Sequence, residues 1–135
     1  MDLNIMLFHT HSGLRWLVVL ATVVALVYML LGLVRKTAYT GLAHRIMIIF
    51  SGLITLQWVV GLILLLVRGT FAGYEFEHAL TMTIAVGVSH MHMRFRRAAD
   101  SVRYRNGLLI VVAVLVLVYI GVARLPQGWS MAMGG

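Results

Sequence analysis

The sequence predicts an all-α integral membrane protein, a four-helix up-down-up-down bundle with both termini on the non-cytoplasmic side. Three observations carry this expectation. Of 135 residues, 61% are hydrophobic and only 11% charged, whereas a soluble domain carries about 25% charged residues. Four apolar stretches approach the roughly 17 to 25 residues that a spanning helix requires. Basic residues gather in alternate connections, as the positive-inside rule demands of a multi-pass chain.

The first helix, expected over about residues 12–34, is read from the apolar run Leu14 to Val34. The second, about 45–67, follows from Ile46 to Val67. The third, about 76–93, is short if only Ala79 to Met93 is counted, and reaches spanning length when Phe76, Glu77 and His78 are helical and interfacial. The fourth, about 107–124, is read from Leu108 to Ala123 and stopped by Leu125-Pro126-Gln127-Gly128, since proline removes a backbone donor and glycine tolerates left-handed dihedrals. Gly41 and the Gly69 to Gly73 stretch mark turns. Residues 1–135 show no internal repeat and no linker, so they form one domain, and short connections make successive helices antiparallel neighbours.

Arg35, Lys36, Arg45, Arg94, Arg96, Arg97, Arg103 and Arg105 fall in the Leu33 to Arg45 and Arg94 to Asn106 connections, against Arg15, Arg68 and Arg124 on the other side. The basic connections are therefore cytoplasmic and suit anionic lipid headgroups; nucleic acid is not an expected partner. The chain has no cysteine, which excludes disulfides and thiolate metal sites. Asp2 stands where a signal peptide would be basic, and no small-residue cleavage site follows a short apolar run, so the first helix is expected to be retained.

Function is sought in the histidines, because a polar ring at the edge of hydrocarbon costs free energy unless something holds it. His9 and His11 precede the first expected helix and His78 opens the third, which puts them toward the outer face; His44, His90 and His92 lie toward the cytoplasm. His11 and Arg15 share a helix face continued by Val18, Thr22, Ala25, Met29 and Gly32, and His78, Ala85 and His92 recur every seven residues. Small residues on such faces also serve close helix packing with no ligand at all. The chemistry that would use the rings is bis-imidazole ligation of haem b, with iron held by His11 and His78 at the outer face and a second haem served by His90 and His44. Counting at about 100° per residue places His90 about 120° from His78 and His92 only about 40° from it, so helix geometry alone favours His92 as the inner ring.

Arg15 would pair with a haem propionate, or else with Glu77 or Glu75, or snorkel to the interface. Glu77 either caps the third helix or orients the neighbouring imidazole. Gln57, midway along the second helix, glues helices together or hydrogen-bonds a cofactor edge or quinone carbonyl, with Trp58 and Gly61 lining the cavity. Trp16, Trp58 and Trp129 otherwise read as interfacial or packing aromatics. His9-Thr10-His11 and His90-Met91-His92-Met93 mix imidazole and thioether in a way that suits copper, while no HExxH pattern, nucleophile arrangement or phosphate-binding loop is present.

The elements His11-Ser12-Gly13-Leu14-Arg15-Trp16, Leu56-Gln57 with Gly61-Leu62, Glu77-His78 with Met82 and Ala85 before His90, and Arg124 followed by Pro126 resemble a family of small four-helix bacterial membrane proteins labelled cytochrome b-like. The resemblance implies His11, His78 and His90 as recurring positions, with Arg15, Gln57 and Glu77 beside them, and favours His90 over the geometric choice of His92. The expected role is one-electron transfer in or beside a respiratory or photosynthetic redox complex of the bacterial cytoplasmic membrane, with quinone as a possible exchange partner and no substrate transformed by the chain itself. A cofactor-free accessory subunit of a larger membrane assembly is the competing expectation; a transporter dimerising around Gln57 lacks a broken helix or repeat.

Overall fold

The computed structural model describes residues 2–69, 71–126 and 128, so Gln127 in the terminal turn and Trp129 lie outside the described residues. The described residues form α1 (Leu3–Arg35), α2 (Gly41–Arg68), α3 (Gly73–Ser89), a 3₁₀ helix (His90–Phe95) and α4 (Asp100–Ala123), with no strand among them. α1, α2 and α4 are long and apolar enough to cross a membrane, and the exposed face of the bundle is rich in Leu, Val and Ile, as a lipid-facing surface must be.

The helices extend past the hydropathy reading: α2 starts at Gly41, expected as a turn, and α3 at Gly73, and three differences are larger. α1 begins at Leu3 rather than near residue 12, so His9 and His11 are helical residues; its start is capped by Asp2, whose carboxylate accepts from the Asn4 N–H at 3.1 Å. α4 begins at Asp100 rather than near 107, with that acid in its first turn, where negative charge suits the helix dipole. The expected third span is divided: α3 is 17 residues, does include Phe76, Glu77 and His78, and tightens to 3₁₀ winding after Ser89. Hydropathy reports immersion in lipid, and helices continue beyond it.

Arginines lie toward both ends of the apolar part of each long helix. Arg15 and Arg35 on α1, Arg45 and Arg68 on α2, and Arg105 and Arg124 on and just after α4 are separated by roughly 28 to 35 Å of helix rise. A bilayer's hydrocarbon core is about 30 Å thick. The Leu3 to Leu14 segment of α1 therefore overhangs the Arg15 level by about 18 Å.

Each helix packs against its sequence neighbour, and α4 closes the ring on α1; the diagonal pairs touch little. Lys36, in the left-handed region at φ 53°, and Gly69, at φ 67°, end α1 and α2. The dense core occupies the half of the bundle containing Ala25, Met29, Ala43, Met47, Phe50, Tyr104 and Val111, all essentially inaccessible. Tyr104 fills the space left by Gly32 and donates its hydroxyl proton to the Ala38 carbonyl at 2.9 Å, sealing α4 to the end of α1. Beside it Tyr39, in the α1–α2 connection, carries the Arg103 guanidinium 3.9 Å from its ring centre; burial raises its phenol pKa above the ordinary value, against the opposing pull of that cation. The other half of the bundle is less filled. There the helices enclose a cavity.

Candidate functional site in the less filled half of the bundle

Four elements contribute to this cavity, whose volume is about 160 Å³. α1 supplies Phe8, His11, Arg15 and Val18; α2 supplies Ile54, Gln57, Trp58, Gly61 and Arg68; α3 supplies Glu75, His78 and Met82; Val118 and Val122 of α4 complete the wall. Most of the wall is apolar, and its polar side chains are His11, Arg15, Gln57, Arg68, Glu75 and His78.

His11 and His78 face one another across it, with ring centres 6.4 Å apart and planes perpendicular. His78 Nδ1 lies 2.8 Å from the Gly121 carbonyl oxygen. Since a carbonyl only accepts, Nδ1 carries the proton, and Nε2 of the neutral ring keeps its lone pair. His11 is fixed through its backbone: Gln57 Nε2 donates to the His11 carbonyl at 2.8 Å, which ties α1 to α2 at the height of the ring. The His11 ring itself rests on Gly61, where a Cβ would meet Cε1 at 2.9 Å. That glycine is needed for close approach.

Two further observations bear on a ligand. His11 Nδ1 and Gln57 Oε1 are buried and make no hydrogen bond among the described residues. Buried polar atoms are nearly always satisfied, and two orphaned on one cavity wall are what a polar-edged ligand would address. The donor set, two neutral imidazoles on different helices with arginines nearby, fits a haem. The volume is below the roughly 300 Å³ at which small-molecule sites begin, so a macrocycle must displace flexible wall residues such as Met82, Leu62 and Leu65.

No protein-family model, curated protein or solved structure matches this chain. The functional reading therefore rests on the residues.

Of the other expected site residues, Arg15 lines the cavity and stacks on Trp16, its guanidinium carbon 4.6 Å from the ring centre. Glu77 lies outside the cavity wall and pairs with Arg124 at 3.9 Å, across α3 and α4. Trp58 donates to Thr83 Oγ1 at 2.9 Å. His9 is exposed and packs against Phe8.

The inner histidines are arranged differently from the expected His44 and His90 pairing. His44 faces His92, with ring centres 6.5 Å apart. His92 is 8% exposed and its Nε2 is 3.3 Å from Ser51 Oγ, whereas exposed His90 has its Nε2 2.8 Å from Thr55 Oγ1. Ser51 and Thr55, one turn apart on α2, each hold one ring. No group of three or more His, Cys, Asp or Glu side chains that could hold a metal ion exists among the described residues. Sequence reasoning missed Arg68 as a cavity residue, although its position at the end of α2, on the same side of the bundle as Arg15, was the available signal.

Proposed function

We propose that the chain is a membrane-embedded b-type haem protein that passes single electrons in or beside a respiratory or photosynthetic redox complex. In this reading it sits in a bacterial cytoplasmic membrane, its helices run up-down-up-down, and both termini lie outside the cytoplasm. The observation that carries the proposal is the His11 and His78 pair, 6.4 Å apart across one apolar cavity. Two opposed imidazoles bound to one metal at about 2 Å have ring centres roughly 6 Å apart.

Bound haem supplies a one-electron iron couple whose potential is set by its axial rings, their hydrogen bonds and its burial. The chain does the rest. The Gly121 carbonyl orients the His78 ring and makes its nitrogen a better donor. Gln57 holds the His11 backbone. The apolar wall keeps water away, and Arg15 offers a carboxylate partner at the edge. We assign one haem to the outer cavity, and read the His44, Ser51, His92 cluster as packing.

The cavity volume favours a second reading, a quinol head group whose hydroxyl donates to the Nε2 lone pair of His78, because a single ring needs less displacement of the wall than a macrocycle. A dithionite-reduced minus oxidised spectrum of the detergent-purified protein, with pyridine haemochrome quantification, separates the readings. A b-type spectrum with one haem per chain supports the cytochrome; co-extracted quinone without haem supports the second reading. Neither ligand after expression with ample haem leaves the cofactor-free accessory subunit.

A further inference from the structure

Arg68 enters the cavity wall from the last residue of α2. Its Nε donates to Asn4 Oδ1 at 3.3 Å, and its guanidinium carbon lies 5.5 Å from the centre of the Phe8 ring. Both partners belong to the α1 segment that overhangs the Arg15 level, so the overhang holds this side chain in place. The wall also carries Arg15 and, from the first turn of α3, the Glu75 carboxylate, so two cations stand against one anion there; beyond Gln57 and the two imidazoles, Val18, Ile54 and Val118 are apolar. A ligand that matches both ends has an apolar body directed into the bundle and an anionic group directed outward. With Nε committed to Asn4, the terminal nitrogens of the guanidinium are the donors matched to a carboxylate.

We propose that Arg68 binds a carboxylate of the cavity's ligand, so that the site selects a porphyrin diacid over its neutral ester. The proposal rests on the haem reading above and adds to it the acid group that is recognised and the residue that recognises it. Asn4 is a positioning residue for Arg68, and Phe8 covers one face of the guanidinium.

The test is titration of full-length protein, purified from cells unable to make haem, with protohaem IX and with its dimethyl ester. Wild type is expected to bind the diacid about tenfold more tightly than the ester. Arg68→Gln should bring the diacid and ester affinities to within about twofold of one another, Arg68→Lys should restore part of the preference, and Asn4→Ala should weaken it. Equal binding of both porphyrins by wild type, or an equal loss of both in Arg68→Gln, overturns the role of Arg68 while the haem reading stands. Failure of wild type to bind either porphyrin overturns the haem reading and this proposal with it. A circular dichroism spectrum of Arg68→Gln that matches wild type shows that the variant is folded.

Discussion

His78 Nδ1 and the Gly121 carbonyl oxygen, 2.8 Å apart, join α3 to α4 and fix which nitrogen of the ring can act as a ligand. The hydrogen bond spends the imidazole proton on backbone, and the remaining lone pair is what iron requires. His78→Ala and His11→Ala should therefore each abolish haem binding while membrane insertion continues, because replacing histidine by alanine does not lower the hydropathy of either helix. Haemochrome content per chain and carbonate-resistant membrane retention measure the two effects separately. Full haem content in both variants rejects the ligand assignment.

Gly61→Ala offers a subtler test, since it touches no ligand atom. A Cβ there would stand 2.9 Å from His11 Cε1, so the ring must swing away from its present position. Alanine is the better helix former by about 1 kcal/mol. The variant is expected to keep or slightly gain thermal stability without haem and to lose haem affinity by about tenfold, a displacement of the ring being felt directly by the metal. A porphyrin titration beside a thermal melt reads both; unchanged affinity would mean that the His11 ring is not held by this contact.

The fold was legible in outline because bilayer thickness writes itself into composition. The shared depth of His11 and His78 followed from helix alternation, whereas their contact across a cavity depended on the rotation of α1 and α3, which an amphipathic pattern shallow in contrast does not specify. α1's first turns were missed because Asn4, His9, Thr10 and Ser12 lower the hydropathy of a segment that is nonetheless helical, and Asp2 as a cap was the overlooked signal. The inner pairing was misplaced by the resemblance, which favoured His90. Counting residues at about 100° each pointed to His92, the ring that faces His44, even though the winding tightens to 3₁₀ after Ser89.

Tyr104 and Gly32 test the packed half of the bundle independently of any ligand. A Cβ at residue 32 would overlap the Tyr104 ring, which is 1% exposed and anchored through its hydroxyl to Ala38. The ring has nowhere to go, unlike the flexible Met82 terminus that faces Gly121. Gly32→Ala should destabilise the protein by about 1 to 3 kcal/mol through overpacking, read as a lower midpoint of denaturant unfolding in detergent. Tyr104→Phe should cost about 1 kcal/mol by removing the hydrogen bond to Ala38 together with the longer one accepted from Thr37 Oγ1 at 3.5 Å. An unaffected midpoint in Gly32→Ala would mean that α1 and α4 are not held at this distance.

His92 and His90 make the last comparison, because they are two residues apart and differ in everything that matters to their roles. His92 is buried between the His44 ring and the Ser51 hydroxyl, and its loss leaves a polar void in the half of the bundle that is otherwise densely packed. His90 is exposed and bonded to Thr55, which keeps a second acceptor in the Ser51 carbonyl, 2.8 Å from its hydroxyl. His92→Ala is expected to cost about 2 kcal/mol, combining a small cavity with a lost buried hydrogen bond, and His90→Ala less than about 1 kcal/mol. Neither should change haem stoichiometry if the outer cavity holds the one haem. Denaturation in detergent and haemochrome content, measured on the same preparations, decide the point: loss of half the haem in His92→Ala and His44→Ala would establish the inner rings as a second iron site and overturn their assignment to packing.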